Sequence, residues 1–287
     1  MSGAVLTPTT LVAHESRFPL ADGNELFIRD WLIEAETAPC IVIMHGLGEH
    51  CGRYLPVAAL LHRNGFSVRT YDHRGHGQSS GSRGDIPEAL TLVHDAELLI
   101  GDFARRCKTR PLLLGHSMGG LFAARIATEG KIPLSGLILS SPALALRLSG
   151  LDKLLLKVMG AIAPHFAIAN GLKTTWLSHD PEVVRAYEND PLVHNKITAS
   201  LLNGMLAAIE YAQNHAPVLI IPTLLLVAEN DKLIDPQGSR DFHASLPVNI
   251  SSAHFYADLY HEIFNEADAT QVFADLQNWL AARQFSC

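Results

Sequence analysis

Ser117 lies in Gly115-His-Ser-Met-Gly119, a G-x-S-x-G pattern, where an apolar run from Pro111 to Leu114 gives way to a helical pattern starting near Met118. A serine between a buried strand and a helix is forced into a strained turn, and small residues two before and two after it let the two elements approach closely. The hydroxyl then projects into the crevice at the strand carboxyl ends, over a helix N-terminus. Acyl transfer needs that setting. A pentapeptide of this kind also arises by chance and the glycines could serve only a tight turn, so the flanking strand and helix carry the chemical reading.

A serine hydroxyl is a weak nucleophile until a base takes its proton, and the base needs a third group to fix its tautomer and stabilise the imidazolium. When the serine sits on such an elbow, the chain order is Ser, then Asp or Glu, then His. Downstream of Val227 the acids are Glu229, Asp231, Asp235 and Asp241. Asp231 is the choice, three residues past the end of an apolar run at Ala228. Asp241 belongs to a helical segment, and Asp235 suits a turn before Pro236. For the base, His254 falls inside the short apolar strand 253–256, whereas His261 follows in the loop at its carboxyl end, so His261 is preferred. The remaining histidines precede Asp231 in the chain or lie within a helix, and His116 reads as a packing or supporting residue.

A tetrahedral intermediate needs donors aimed at its oxyanion, each contributing roughly 3 kcal/mol. Two backbone N–H groups fit. One belongs to Met118, directly after the serine. The other is assigned to Leu47, in the glycine-containing loop His45-Gly-Leu-Gly-Glu-His50 that follows an apolar run. No metal and no organic cofactor is called for.

The elements that must place these residues follow from hydrophobic periodicity. Asp22-Gly23 between Phe18 and Leu26 predicts a hairpin forming an antiparallel edge. Apolar runs at 40–44, 111–114, 134–139 and 223–228 predict strands covered on both faces, and Phe66-Ser-Val-Arg-Thr-Tyr71 reads as another strand. Helices are expected over 54–64, 86–107, 118–129, 237–245 and 267–283. Strand and helix in alternation imply parallel strands joined by right-handed crossovers, with helices on both faces. The alternation breaks from 143 to 216, where helical segments at 151–163, 181–187 and 196–214 occur without a convincing strand. The expected organisation is a core of 1–142 and 217–287 with a helical cap inserted at 143–216.

Composition bounds the rest. The chain has 287 residues, 48% hydrophobic and 18% charged, with a net charge of -7. That is a well-buried globular balance, and the acidic sign without a basic stripe argues against a nucleic-acid partner. Cys40, Cys51, Cys107 and Cys287 are scattered without C-x-x-C spacing and read as free thiols. The N-terminal stretch has neither the basic nor the apolar region of a secretory signal, and no run is long enough to span a membrane. The expectation is a cytoplasmic protein, peripheral to membranes at most, with no obligate protein partner. The Asp72-His-Arg-Gly-His-Gly-Gln-Ser-Ser-Gly81 stretch is expected to be a structural loop beside the site.

His45-Gly-Leu-Gly-Glu-His-Cys-Gly-Arg-Tyr54, Asp72-His-Arg-Gly-His-Gly-Gln-Ser79, Gly115-His-Ser-Met-Gly-Gly120 and Asp190-Pro-Leu192 together resemble the monoacylglycerol lipase and lysophospholipase group of the α/β-hydrolases, which is grouped with serine aminopeptidases. The likeness runs over nearly the whole chain. It implies an α/β-hydrolase fold and a serine carboxylester hydrolase acting on glycerol esters or lysolipids, with Ser117, Asp231 and His261 at the triad positions. A peptidase, a carbon–carbon bond hydrolase and a non-catalytic ligand-binding relative are the alternatives. The chain departs from mammalian members in having no cysteine in the cap or beside the acid, so sensitivity to thiol reagents is not implied.

Within the cap segment, Leu151, Leu154, Leu155, Val158 and Ile162 share a helical stripe broadened by Leu156 and Met159, with Lys153 and Lys157 facing elsewhere. Such a stripe either packs over the core or forms an apolar lip that touches lipid and admits an acyl chain.

Overall fold

The computed structural model describes residues 12–35, 38–283 and 285. Cys287 and residues 1–11 of the N-terminal stretch lie outside the described residues.

The core strands are β1 (His14–Pro19), β2 (Glu25–Trp31), β3 (Cys40–Met44), β4 (Ser67–Tyr71), β5 (Leu112–His116) and β6 (Gly136–Ser140), with β7 (Ile168–Ala169) and β8 (Lys196–Ile197) short, and β9 (Thr223–Ala228) and β10 (Ser251–Tyr256) completing the series. The helices are α1 (Leu55–Arg63), α2 (Thr91–Cys107), α3 (Ser117–Glu129), α4 (Gly150–Ile162), α5 (Pro181–Asn189), α6 (Ala199–His215), α7 (Pro236–Ser245) and α8 (Thr270–Ala281). Eight strands form one sheet in the order β1-β2-β4-β3-β5-β6-β9-β10. The β1–β2 hairpin and the β2–β4 pair are antiparallel, and the other pairs are parallel.

Alternation along the central strands explains the two layers of helix. Val42 and Met44 point into one apolar cluster with residues of α2, α3, α6 and α7, while Ile41 and Ile43 join α1 and α8 on the opposite face. Strands covered on both faces are mostly apolar, and β3 to β6 and β9 are buried at every residue; the charged exception, Arg69 of β4, is paired with Asp30 and Asp102. In register, Met44 pairs with Gly115, His116 with Ser140, and Ser140 with Leu226. Their carboxyl ends therefore share one edge.

Among the boundaries that differ from expectation, three bear on the organisation of the chain. α2 begins at Thr91 rather than 86, because Ile86 precedes Pro87 and such a residue is steered away from helical geometry. Residues 143–216 do contain sheet: β7 and β8 pair as a two-residue antiparallel ribbon, and Lys196–Ile197 stand outside the helix drawn through them. α6 starts only at Ala199, where the side chain of Thr198 accepts the Leu201 N–H and caps it.

Candidate active site

The site is built at the strand ends. Ser117 opens α3 with φ at +53°, a left-handed conformation that costs a non-glycine residue about 1–3 kcal/mol and persists only where its surroundings enforce it. The enforcement is close packing. A Cβ on Gly115 would run into the Gly119 carbonyl, and one on Gly119 into the carbonyl oxygens of Met44 and His45. The Ser117 carbonyl also accepts the Ala143 N–H at 3.0 Å.

The three residues separated by up to 144 positions come together. His261 Nε2 lies 2.8 Å from Ser117 Oγ, and His261 Nδ1 lies 2.6 Å from Asp231 Oδ2. The second Asp231 oxygen accepts the backbone N–H groups of Leu233 at 2.8 Å and Ile234 at 3.1 Å. Asp231 is 2% and His261 4% exposed. Burial by itself would push the Asp231 carboxyl up, but the His261 ring and these backbone donors outweigh it and hold Asp231 below its ordinary value. His261 balances the same forces in the opposite sense: burial disfavours its charge, yet Asp231, Glu262 and Glu49 together raise it above 6.5.

The competing candidates sit elsewhere. His254 is half-buried beside Asp275, at 3.4 Å. Glu229 pairs with Arg240, Asp235 caps α7 by accepting the Gln237 N–H, and Asp241 accepts from Gln237 Nε2. His116 bonds Ser140 Oγ through Nδ1 at 3.0 Å with its ring 4.8 Å from that of His261. Burial, together with the nearby His261, pushes His116 down to about 3, so it stays neutral. Asp72 accepts the Cys51 and Gln78 N–H groups, both at 2.7 Å, tying its glycine-rich loop to the chain after the His45 loop.

Leu47 and Met118 both line a small cavity of about 70 Å³ against Ser117 and His261. Through Leu47, Leu146, Leu172, Met205 and Leu233 this cavity abuts an apolar chamber of about 430 Å³, walled also by Leu155, Leu156, Met159, Phe166 and Trp176. Past Leu172, Leu177 and Tyr187 it abuts a more polar one of about 310 Å³, lined by Asn170, Thr174, Glu188, Asp190, His194 and Asn195. The stripe on α4 divides accordingly: Leu155, Leu156 and Met159 face the chamber, whereas Leu151 and Ile162, each 74% exposed, face outward, and no residue of α4 is buried.

Sequence reasoning missed a charged group beside His261. Arg53 Nη1 donates to Glu49 Oε2 at 2.7 Å and to Glu262 Oε1 at 2.5 Å, and Nη2 donates to Glu262 Oε2 at 2.7 Å. Glu49 and Arg53 stand in the first of the motifs quoted above, spaced four apart on a turn, which was the available signal. The third member, adjacent to His261 but 209 positions from Arg53, had none. Arg147, between β6 and α4, donates to the Asp231 carbonyl at 3.1 Å and was likewise missed. Among the described residues no cluster of three or more His, Cys, Asp or Glu could hold a metal ion, and no helix is long and apolar enough to cross a membrane.

A mostly parallel sheet with a serine elbow at its central strand and a histidine and an aspartate at later strand ends defines an α/β-hydrolase. The family model described as serine aminopeptidase, S33, matches residues 35–268, and the chain belongs to that hydrolase family. It is 34% identical over 278 residues to the monoacylglycerol lipase of Mycolicibacterium smegmatis, covering 93% of this chain and 97% of that protein. It is 32% identical over 251 residues to phospholipase YtpA of Bacillus subtilis, covering 86% and 94%. The crystal structure of the Paleococcus ferrophilus monoacylglycerol lipase superposes with a TM-score of 0.79 at 32% identity, covering 94% of this chain and 99% of that one. The chain spans 28% of the length of another relative, an uncharacterized abhydrolase domain-containing protein of Dictyostelium discoideum.

Proposed function

We propose that this hydrolase cleaves monoacylglycerols or related single-chain lipid esters through an acyl-enzyme, with Ser117 as nucleophile, His261 as general base and acid, and Asp231 as its orienting partner. The observation that supports this best is the hydrogen-bonded run Ser117–His261–Asp231 at the foot of an apolar chamber. His261 Nε2 takes the Ser117 proton as Oγ bonds to the ester carbon, and the carbonyl oxygen becomes an oxyanion facing the N–H groups of Leu47 and Met118. On collapse the ester C–O bond breaks and His261 returns the proton to the departing alcohol. A water, deprotonated by His261, then releases the fatty acid and restores Ser117.

The three cavities suit such a substrate. The apolar chamber takes an acyl chain, the small cavity the ester, and the polar chamber the hydroxylated alcohol. We assign residues 143–216 as the cap, rooted by α6 against α3 and presenting α4 outward. The outward stripe of α4, with Lys153 and Lys157 beside it, is the surface that would meet a lipid aggregate transiently.

A substrate panel tests the reading: monoacylglycerols, lysophospholipids, p-nitrophenyl esters and aminoacyl amides, with a fluorophosphonate probe mapped by mass spectrometry. Preferred turnover of monoacyl esters and an adduct on Ser117 are expected. Faster amide than ester turnover, or an adduct elsewhere, overturns it.

A further inference from the structure

Beside His261, two buried carboxylates and a partly buried guanidinium meet, and Glu49 and Glu262 also line the small cavity that holds Ser117. Glu49 and Glu262 are 3% and 4% exposed, and Arg53 joins them with the contacts given above. Each carboxylate is also fastened to a part of the site. Glu49 Oε1 accepts the Gly46 N–H and the Tyr54 hydroxyl, both at 2.6 Å, and Gly46 immediately precedes Leu47. Glu262 directly follows His261, accepts from Asn265 Nδ2 at 3.0 Å, and donates its own N–H to the Leu177 carbonyl of the cap segment at 2.8 Å. The Arg53 guanidinium lies over the Tyr187 ring of α5 at 4.7 Å. A single side chain thus touches the loop bearing Leu47, the loop bearing His261, and the cap.

Two carboxylates share one guanidinium, leaving a formal charge of −1 in a largely buried site, where charge acts over longer range than in bulk water. A buried pair of this kind is poor evidence for stability, because desolvating the ions offsets their attraction. Its value lies in the place it occupies. We propose that Arg53 is a positioning residue that, bridging Glu49 and Glu262, holds the Leu47 loop and the His261 loop in register, while the surplus negative charge of the trio stabilises the protonated His261 formed in each half-reaction.

The other groups around His261 are accounted for. Asp231 faces it from the loop after β9, neutral His116 from the end of β5 and Ser117 from the start of α3. Tyr54 lies beyond His116, with ring centres 6.3 Å apart, and Tyr187 covers Arg53. Lys232 is engaged by the Tyr260 hydroxyl at 2.7 Å. Glu262 and Glu49 both act to raise His261, and Glu262 is itself held down to about 2 by Arg53 against its burial.

The proposal rests on the serine-hydrolase reading, and its test separates the two. The acid limb of kcat/KM is measured on a soluble p-nitrophenyl ester for the wild type and for Glu262→Gln, Glu49→Gln, Glu262→Asp, Arg53→Met and Arg53→Lys. Removing either charge should move the limb to lower pH, by about 0.5–1 unit for Glu262→Gln. Glu262→Asp, which keeps the charge but withdraws the bidentate contact, should leave the limb in place and lower kcat. Arg53→Met should lower kcat more than tenfold with KM within about threefold, and Arg53→Lys should restore part of the loss. Limbs unmoved in both Gln variants, or a kcat for Arg53→Met within twofold of wild type, overturn the proposal. A wild type that neither turns over esters nor labels at Ser117 would instead defeat the underlying reading.

Discussion

In the proposed mechanism Ser117, His261 and Asp231 work as a unit, so removing any one should cost far more than a third of the catalysis. Ser117→Ala should lower ester turnover by on the order of 10⁴ to 10⁶ and abolish fluorophosphonate labelling while leaving the melting temperature near that of the wild type. Asp231→Asn keeps the shape but not the charge, and about a 10⁴-fold loss of kcat is expected, as when the wrong histidine tautomer is imposed. Only neutral His261 can accept the Ser117 proton. Because Asp231 and the two glutamates outweigh the burial that disfavours its charge and raise it, activity should fall on the acid side with a midpoint above 6.5, the ordinary histidine value. A pH profile on a non-ionising ester reads this midpoint directly.

Elements fix what residues can reach. The meeting of β5 and α3 against the Met44–His45 turn leaves no room for a Cβ at Gly119. Gly119→Ala should push α3 off its seat, destabilising the fold by about 1–3 kcal/mol and disturbing Ser117 and Met118 together; thermal unfolding and acyl-transfer rate should fall in the same variant. α4 makes the opposite case. Its capping box at Ser149 and Asp152 is complete and its chamber face is engaged, so the outward residues contribute little to folding. Leu151→Asp and Ile162→Asp should therefore leave hydrolysis of a soluble ester unchanged and weaken turnover of monoacylglycerol in micelles or vesicles, measured side by side. Equal rates on both forms of substrate would remove the lipid-contact role of α4.

Over the whole molecule, buried neutral histidines set the acid limit of stability. Burial, aided for His116 by the neighbouring His261 and for His194 by the Arg83 guanidinium, brings His116 to about 3 and His73 and His194 to about 4. The unfolded chain keeps an ordinary value near 6.5, so it binds more protons than the folded one below that pH. Stability is full above 6.5 and falls as pH drops toward 4, by about 1.4 kcal/mol per pH unit for each proton taken up. Glu262, held to about 2, adds a loss of the same sign below its unfolded value of 4.5. His261 works the other way, since its raised value contributes stability that is present below 6.5 and lost as pH rises through the folded value. One such group is outnumbered, and the melting temperature should drop steeply between pH 6.5 and 4.

Some of this was determined by the sequence alone. Short apolar runs such as 40–44 and 223–228, bounded by turn residues, read as strands buried on both faces, and a glycine-flanked serine, an acid and a histidine at strand ends in that order suffice to nominate Ser117, Asp231 and His261. These features are local: composition, periodicity and position relative to a strand end are written within a few residues. Where α2 begins and where β8 precedes α6 depended on single turns that periodicity blurs. The Arg53 bridge depended wholly on tertiary structure, because residues 49, 53 and 262 carry no mark of one another until β3 and β10 bring their loops to the same edge. The direction of the α4 stripe was open for the same reason. A helix shows which residues share a face, but only its packing decides whether that face meets the core, a cavity or the solvent.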